Sequence, residues 1–512
     1  MKKIFLIILS VFMIATAICV SAFAVESPAA DVVLRISAAK KDGSTIVVDD
    51  YKSLEDGWNA AMNLASNPKE LNKNEYGRII VDLYTDWNAV DGEFTDDFFN
   101  GKGFNWDAIY FPENVKVTLN LNGHTINRGL TEYQYNGEVM YIDKDADVII
   151  NDGTITGGWS CNGAGGIHIN NRAYVTLNNV NLIGNTVEDD DGAAIAVYGG
   201  ATLIMNGGSM SKNIVYSTNI AHTAAMLTDH DSSGVLYAER SEVVLNNVTF
   251  KENVSKNVSC PGLVATFVSS KGVLNNCIVE ENGYVAEDLG YVSPLSLFAS
   301  NTTLDLTFQN TVFKNNGDAY RVLNAYPSKL QTSLMSFTTT HYSTSNAYIN
   351  VENCTFTGNK MDCLFDTAEV YFAMKDSTVI DNHANVAFVY HSENGVYRPG
   401  VASTFESCTF NNNHSENTDM TYRGTKNPGT FYFADKYVDV TFIQCDLGDS
   451  TFTNKNVAKF TNSSVIGSIF NEGSLVMIIS ITALVASVAA IGMTIITNKK
   501  KKAVDFANEQ DD

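Results

Sequence analysis

Closely spaced carboxylates are the first residues in this chain able to do chemistry. Glu188-Asp189-Asp190-Asp191 runs into Gly192, Asp229 and Asp231 flank His230, and Asp143, Asp145 and Asp147 alternate ahead of Val148. Carboxylates at this density hold hard cations such as Ca²⁺ or divide general acid and base work between them. A solvated corner loop is the plainer expectation for the four-residue run. The eight histidines (His124, His168, His222, His230, His341, His383, His391 and His414) are scattered. No pair has the His-x-x-x-His spacing of a helical zinc site and no nucleophile elbow accompanies them, so surface and corner positions are expected.

Cysteines give no site either. There are eight, and no Cys-x-x-Cys or Cys/His zinc spacing occurs among them. Cys277, Cys354, Cys408 and Cys445 occupy one position of a repeat described below, which predicts free thiols stacked as small apolar groups. Cys408 and Cys445 fall in successive repeats, where a bridge would have awkward geometry. Aromatic residues make up 11% of the chain. Tyr133, Tyr135, Trp159, Tyr342, Tyr397 and Tyr422 are loop candidates whose rings suit sugar faces or a protein partner, with a core or rim role as the plain alternative. No catalytic residue, cofactor or metal ligand is assigned.

The elements that must position these residues begin with the two ends. Lys2-Lys3, an apolar run from Ile4 to Val20 and Ala22-Phe23-Ala24 predict a cleaved secretory signal over 1–24. Leu475 to Thr497 is 23 residues without a charge, followed at once by Asn498 and four lysines, Lys499 to Lys502. That length spans a bilayer as a helix, and the lysines place 498–512 in the cytoplasm. The expectation is a single-pass membrane protein with an extracellular ectodomain. A net charge of −23 argues against nucleic acid as a partner.

Between the ends lies a repeat. Apolar anchors at Ile126, Ile155, Leu182, Met210, Phe250, Val279, Phe313, Phe356, Val379, Phe410 and Leu447 recur at steps of 23 to 43 residues. Eight of the eleven carry Asn at the third following position: Asn185, Asn213, Asn253, Asn282, Asn316, Asn359, Asn382 and Asn413. Asparagine is about a tenth of the composition, 54 of 512 residues, so chance would supply about one such match. Alternating β-branched and aromatic residues mark short strands, and Asn and Gly allow left-handed backbone at corners between them. A unit this small buries a core only by stacking. Stacked in register, the asparagines lie about 4.8 Å apart and bond amide to amide.

Tyr174-Val175-Thr176-Leu177-Asn178-Asn179-Val180, Ala193-Ala194-Ile195-Ala196-Val197 and Ala201-Thr202-Leu203-Ile204-Met205-Asn206-Gly207-Gly208 resemble the coil consensus of a known family. It is the right-handed parallel β-helix, or pectin-lyase-like, surface proteins of bacteria. Val117 to Ile126 resembles the first full coil in many of them. The resemblance covers about Val115 to Ile466 and implies an all-β solenoid. It also implies a choice of functions, since lyases, hydrolases, adhesins and structural spikes share the fold. Lyases of the fold bind Ca²⁺ through carboxylates and use Arg or Lys as base; its hydrolases use clustered aspartates. Neither subfamily's signature is present: Gly166-Ile167-His168 and Gly123-His124 do not reproduce the hydrolase Gly-His-Gly.

The organisation expected is a signal peptide (1–24), an N-terminal α/β cap (25–114), a parallel β-helix ectodomain (115–470), a transmembrane helix (475–497) and a cytoplasmic tail (498–512). Within the cap, Leu54 to Ala65 has helical apolar spacing with Ser53 as N-cap, and Arg78 to Leu83 is strand-like. The function expected is a surface adhesion, binding or structural module that is not catalytic, with an extracellular glycan or surface protein as partner. The alternative is a cell-surface polysaccharide lyase or glycoside hydrolase acting on acidic glycans.

Overall fold

A computed structural model gives the architecture. It describes residues 28–88, 109–216, 234–256, 262–285, 295–301, 305–317, 332–338, 347–368, 370–391, 402–414, 421–422, 425–426, 429–433, 439–453 and 458–463. The leader, the apolar segment 475–497, the tail and Asp229-His230-Asp231 lie outside these. No helix among the described residues is long and apolar enough to cross a membrane.

Strands dominate, and almost all pair in parallel. Among the described residues they form a 23-strand sheet, a twelve-strand sheet and a five-strand sheet, with each strand beside its counterpart one repeat away. One repeat shows the path. Tyr174–Ile183 lies in the large sheet, Thr186–Glu188 in the five-strand sheet and Ile195–Tyr198 in the twelve-strand sheet. The backbone turns at left-handed residues: Asn179 (φ 51°) within the first strand, Gly184 (φ 66°) and Asp189 (φ 53°) after the first and second, and Gly199 (φ 60°) after the third. Asn and Gly reach that region at least cost, which explains their recurrence at corners. This arrangement fits a parallel β-helix solenoid.

The anchors found in the sequence stack as one column. Ile126 pairs with Ile155, Ile155 with Leu182, and the series runs through Met210, Phe250, Val279, Phe313, Phe356 and Val379 to Phe410. All are buried. Stacked phenylalanine rings recur toward the C-terminal end: Phe313 lies on Phe356 at 4.6 Å and 3°, and in a neighbouring column Phe405 lies on Phe442 at 4.9 Å and 11°. One gap in this packing is deliberate in shape. Gly272 faces inward in its strand, and a Cβ there would meet Leu306 Cδ2 at 2.7 Å and Phe267 Cε1 at 2.8 Å. The Phe267 ring takes the space a side chain at 272 would need.

The N-terminal residues join this stack. Helix α1 (Leu54–Ala65) starts where expected, with Ser53 Oγ accepting the N–H of Asp56 at 3.2 Å. Its buried face carries Trp58, Ala61, Met62 and Ala65, and Trp58 meets Phe111 edge-on at 5.0 Å. The strand expected at Arg78 to Leu83 is Tyr76–Leu83, and it pairs in parallel with Lys116–Asn120. Stacking therefore begins one rung before Val117–Ile126. A hairpin, Leu34–Lys40 with Thr45–Tyr51, adds antiparallel strands beside it. Asp42-Gly43 at its turn is the sequence signal for that hairpin.

Candidate functional site

The expected asparagine ladder is present and continuous. Asn185, Asn213, Asn253, Asn282, Asn316, Asn359, Asn382 and Asn413 are buried in one file. Each Nδ2 donates to Oδ1 of the next, from 3.4 Å at Asn185–Asn213 to 2.8 Å at Asn382–Asn413. A second, partly exposed ladder went unrecognised. It runs Asn120, Asn151, Asn178, Asn206, Asn246, Asn275, Asn310 and Asn353 on the outer face. Its signal was an apolar residue followed by Asn at the end of a strand, as in Leu119-Asn120 and Leu245-Asn246. Both ladders tie successive coils together.

The surface best suited to a ligand is the outer face of the five-strand sheet at its N-terminal end. Ser160, Val187, Val215 and Ser255 point into the solenoid, so the flanking residues Trp159, Thr186, Glu188, Ile214 and Tyr216 point out. The chain adds one more rung here. Gln134 bridges Ser160 in parallel, its N–H donating to Trp159 O at 3.0 Å and its carbonyl accepting from Cys161 N at 3.1 Å. Tyr133 and Tyr135 flank this bridged residue, and a turn follows at Tyr135-Asn136. Both tyrosines are 56% exposed.

That rung is braced from within. Arg128 is buried, and its guanidinium donates to the carbonyls of Asn136 and Glu138 and to Gln134 Oε1. Asn162 Nδ2 donates to Asn136 Oδ1 at 3.1 Å. Tyr133 and Tyr135 thus stand on a fixed segment, with little ordering left for a ligand to impose.

The acidic run closes the lower side of this face, but not as the solvated loop expected. Glu188 is buried and accepts from Trp159 Nε1 at 3.0 Å, and Asp191 is fully buried. Asp190 accepts from the backbone N–H groups of Gly163 and Asp191. The loop folds back over the sheet, and its carboxylates hold neighbouring backbone in place. Burial pushes the Glu188 carboxyl above its ordinary value, against the pull of the Trp159 bond. Burial also raises the Cys161 thiol, and Asp190, Glu188 and Asp189 raise it further.

The alternating acids do not converge. Asp143 accepts from Tyr110 Oη at 2.7 Å and Asn170 Nδ2 at 3.2 Å; Asp145 forms a two-pronged pair with Arg172; Asp147 pairs with Arg78. Among the described residues no group of three or more His, Cys, Asp or Glu is placed to hold a metal ion.

His168 departs from the surface position expected. Its ring stacks on Tyr141 at 4.6 Å and lies 5.0 Å from Tyr198, in an aromatic file that runs from Tyr110 to Tyr237. Part of the ring reaches the surface, but Nδ1 is sealed and has no hydrogen-bond partner. Burial pushes the imidazole down to about 4, so it is neutral at neutral pH.

The cysteines expected inside are inside, as free thiols. Cys277, Cys354, Cys408 and Cys445 are buried, and each Sγ–H reaches a carbonyl of the preceding coil: Leu245, Phe308, Met374 and Phe405. Thr311 and Ser377 fill the same position, and their hydroxyls accept the N–H groups of Cys277 and Cys354. These thiols are therefore weak hydrogen-bonding groups as well as small apolar ones. Tyr342 and Tyr397 lie outside the described residues.

Compared with known proteins, the chain matches no protein-family model and no curated protein sequence.

Proposed function

We propose that the chain is a membrane-anchored extracellular protein built on a right-handed, pectin-lyase-like β-helix of bacterial surface type. It acts as a surface adhesion or binding module, with 1–24 as leader, 25–114 as cap, 115–470 as ectodomain and 475–497 as anchor. Right-handedness is the general rule for parallel strands joined by crossovers. The observation that carries the binding role is the exposed pair Tyr133 and Tyr135 on a segment stitched to the sheet and braced by buried Arg128. Rings held rigidly beside hydrogen-bonding groups suit the apolar faces and hydroxyls of a sugar chain.

The test incubates the full chain with uronate, neutral and amino-sugar polysaccharides, with and without Ca²⁺. Retention without cleavage, lost in Y133A/Y135A, supports the reading. New reducing ends or an ultraviolet-absorbing unsaturated product would replace it with the lyase or hydrolase alternative. Failure to bind any glycan, or any component of a cell surface, would sink it.

A further inference from the structure

We infer that the outer face of the five-strand sheet, from Tyr133 and Tyr135 to Trp159, takes a cationic glycan, a chain of amino sugars with free amines. This rests on the binding-module reading and specifies its ligand.

Charge complementarity selects the occupant. Glu132 is exposed next to Tyr133, and Asp189 and Asp190 lie partly exposed at the lower edge, with Glu188 bonded to Trp159 between them. The acidic loop is tied to this edge by two contacts, Trp159 Nε1 to Glu188 at 3.0 Å and Gly163 N–H to Asp190 at 2.9 Å. On the same face the described cation is Lys256, two strands away at the register of Tyr216 and Glu188. The guanidinium of Arg128 is turned inward to backbone carbonyls. An anionic uronate chain would meet like charge here, whereas ammonium groups would meet carboxylates. Ring faces supply the other half of the match. Tyr133 and Tyr135 flank the bridged residue Gln134, and both rings are exposed close to Trp159's strand. Stacked sugars would then place their amines toward the acidic edge, and a protonated amine over a tyrosine face gains further attraction.

The experiment measures binding of glucosamine oligomers and fully N-acetylated oligomers of equal length to the full chain, at about pH 5 and about pH 9. The expected result is at least about tenfold tighter binding of the free-amine oligomer at the lower pH, with the preference gone at the higher. Y133A/Y135A removes binding of both oligomers. E132Q/D189N, which keeps an αL-tolerant residue at 189, removes the preference and leaves the weak N-acetylated binding unchanged. Equal or stronger binding of N-acetylated or uronate oligomers, lost in Y133A/Y135A, overturns the amino-sugar inference while the binding-module reading stands. Free-amine binding that survives Y133A/Y135A overturns it as diffuse attraction to an acidic protein. Displacement from the tyrosines by an oligolysine peptide, tighter than any sugar, overturns it in favour of a basic protein partner.

Discussion

One oxygen joins Asn282 to Asn316: Oδ1 of Asn316 accepts both the backbone N–H of Asn282 at 3.1 Å and its Nδ2 at 3.0 Å. The same Nδ2 also donates to Phe250 O at 3.1 Å, one coil back. Asn282 thus satisfies buried groups on three coils at once, where water cannot replace it.

Truncating this residue strands several buried donors and acceptors. N282A is expected to lower stability by about 2–4 kcal/mol, and N275A on the outer ladder of the same coil by under about 1 kcal/mol. Urea unfolding of the two variants makes the comparison. Equal losses would mean the inner ladder is no stronger than the outer one.

Packing around Gly272 makes a second, reciprocal prediction. G272V drives a methyl group into Leu306 and Phe267 and costs about 1–3 kcal/mol. Shrinking the opposing ring in G272V/F267L recovers most of that loss. A double-mutant cycle with no coupling would show that Phe267 is not the filler.

Thiol reactivity follows from burial. Burial raises Cys277 to about 11 and Cys354 to about 12, which leaves little thiolate near neutral pH. Alkylation of the folded chain at about pH 8 should spare both and label them on unfolding. C354S should be nearly neutral, since Ser377 already holds the adjoining rung by the same bonds. Rapid native labelling of Cys354 would contradict the buried column.

His168 couples stability to pH. Its folded value of about 4 lies below the ordinary 6.5, so the unfolded chain binds the proton first as pH falls. The stability it confers as a neutral ring is complete above about 6.5 and is lost progressively toward about 4. H168F, which keeps a ring between Tyr141 and Tyr198, should flatten that part of the profile. Unfolding temperatures measured across the window decide it. An unchanged slope would mean the imidazole is not the titrating group.

Much of the fold was legible because the repeat couples two independent signals. An apolar anchor fixes which face turns inward, and Asn three positions later fixes a corner, so Phe250 and Asn253 or Phe356 and Asn359 identify a coil together. The candidate site was far less legible. Glu188 to Asp191 carry no mark of whether their loop stands out in water or folds back, and only Trp159 and Gly163, 29 and 27 residues away, decide it. His168 looked ordinary for the same reason. Its neighbours Tyr141 and Tyr198 arrive from other coils, whose loop lengths vary. Tyr133 and Tyr135 were recognisable as candidates, but their brace, Arg128, gave no sequence signal beyond being a lone arginine.

The inner ladder also has a polarity. Every amide from Asn185 to Asn382 donates toward the C-terminal neighbour and accepts from the other side. A single amide turned over would set N–H against N–H on one side and oxygen against oxygen on the other. The file therefore behaves like a one-way zip, in which each tooth dictates the orientation of the next. Its start lies inside the solenoid, where Asn185 Oδ1 accepts the N–H of Gly158 from the coil before, so the direction is set within the rod.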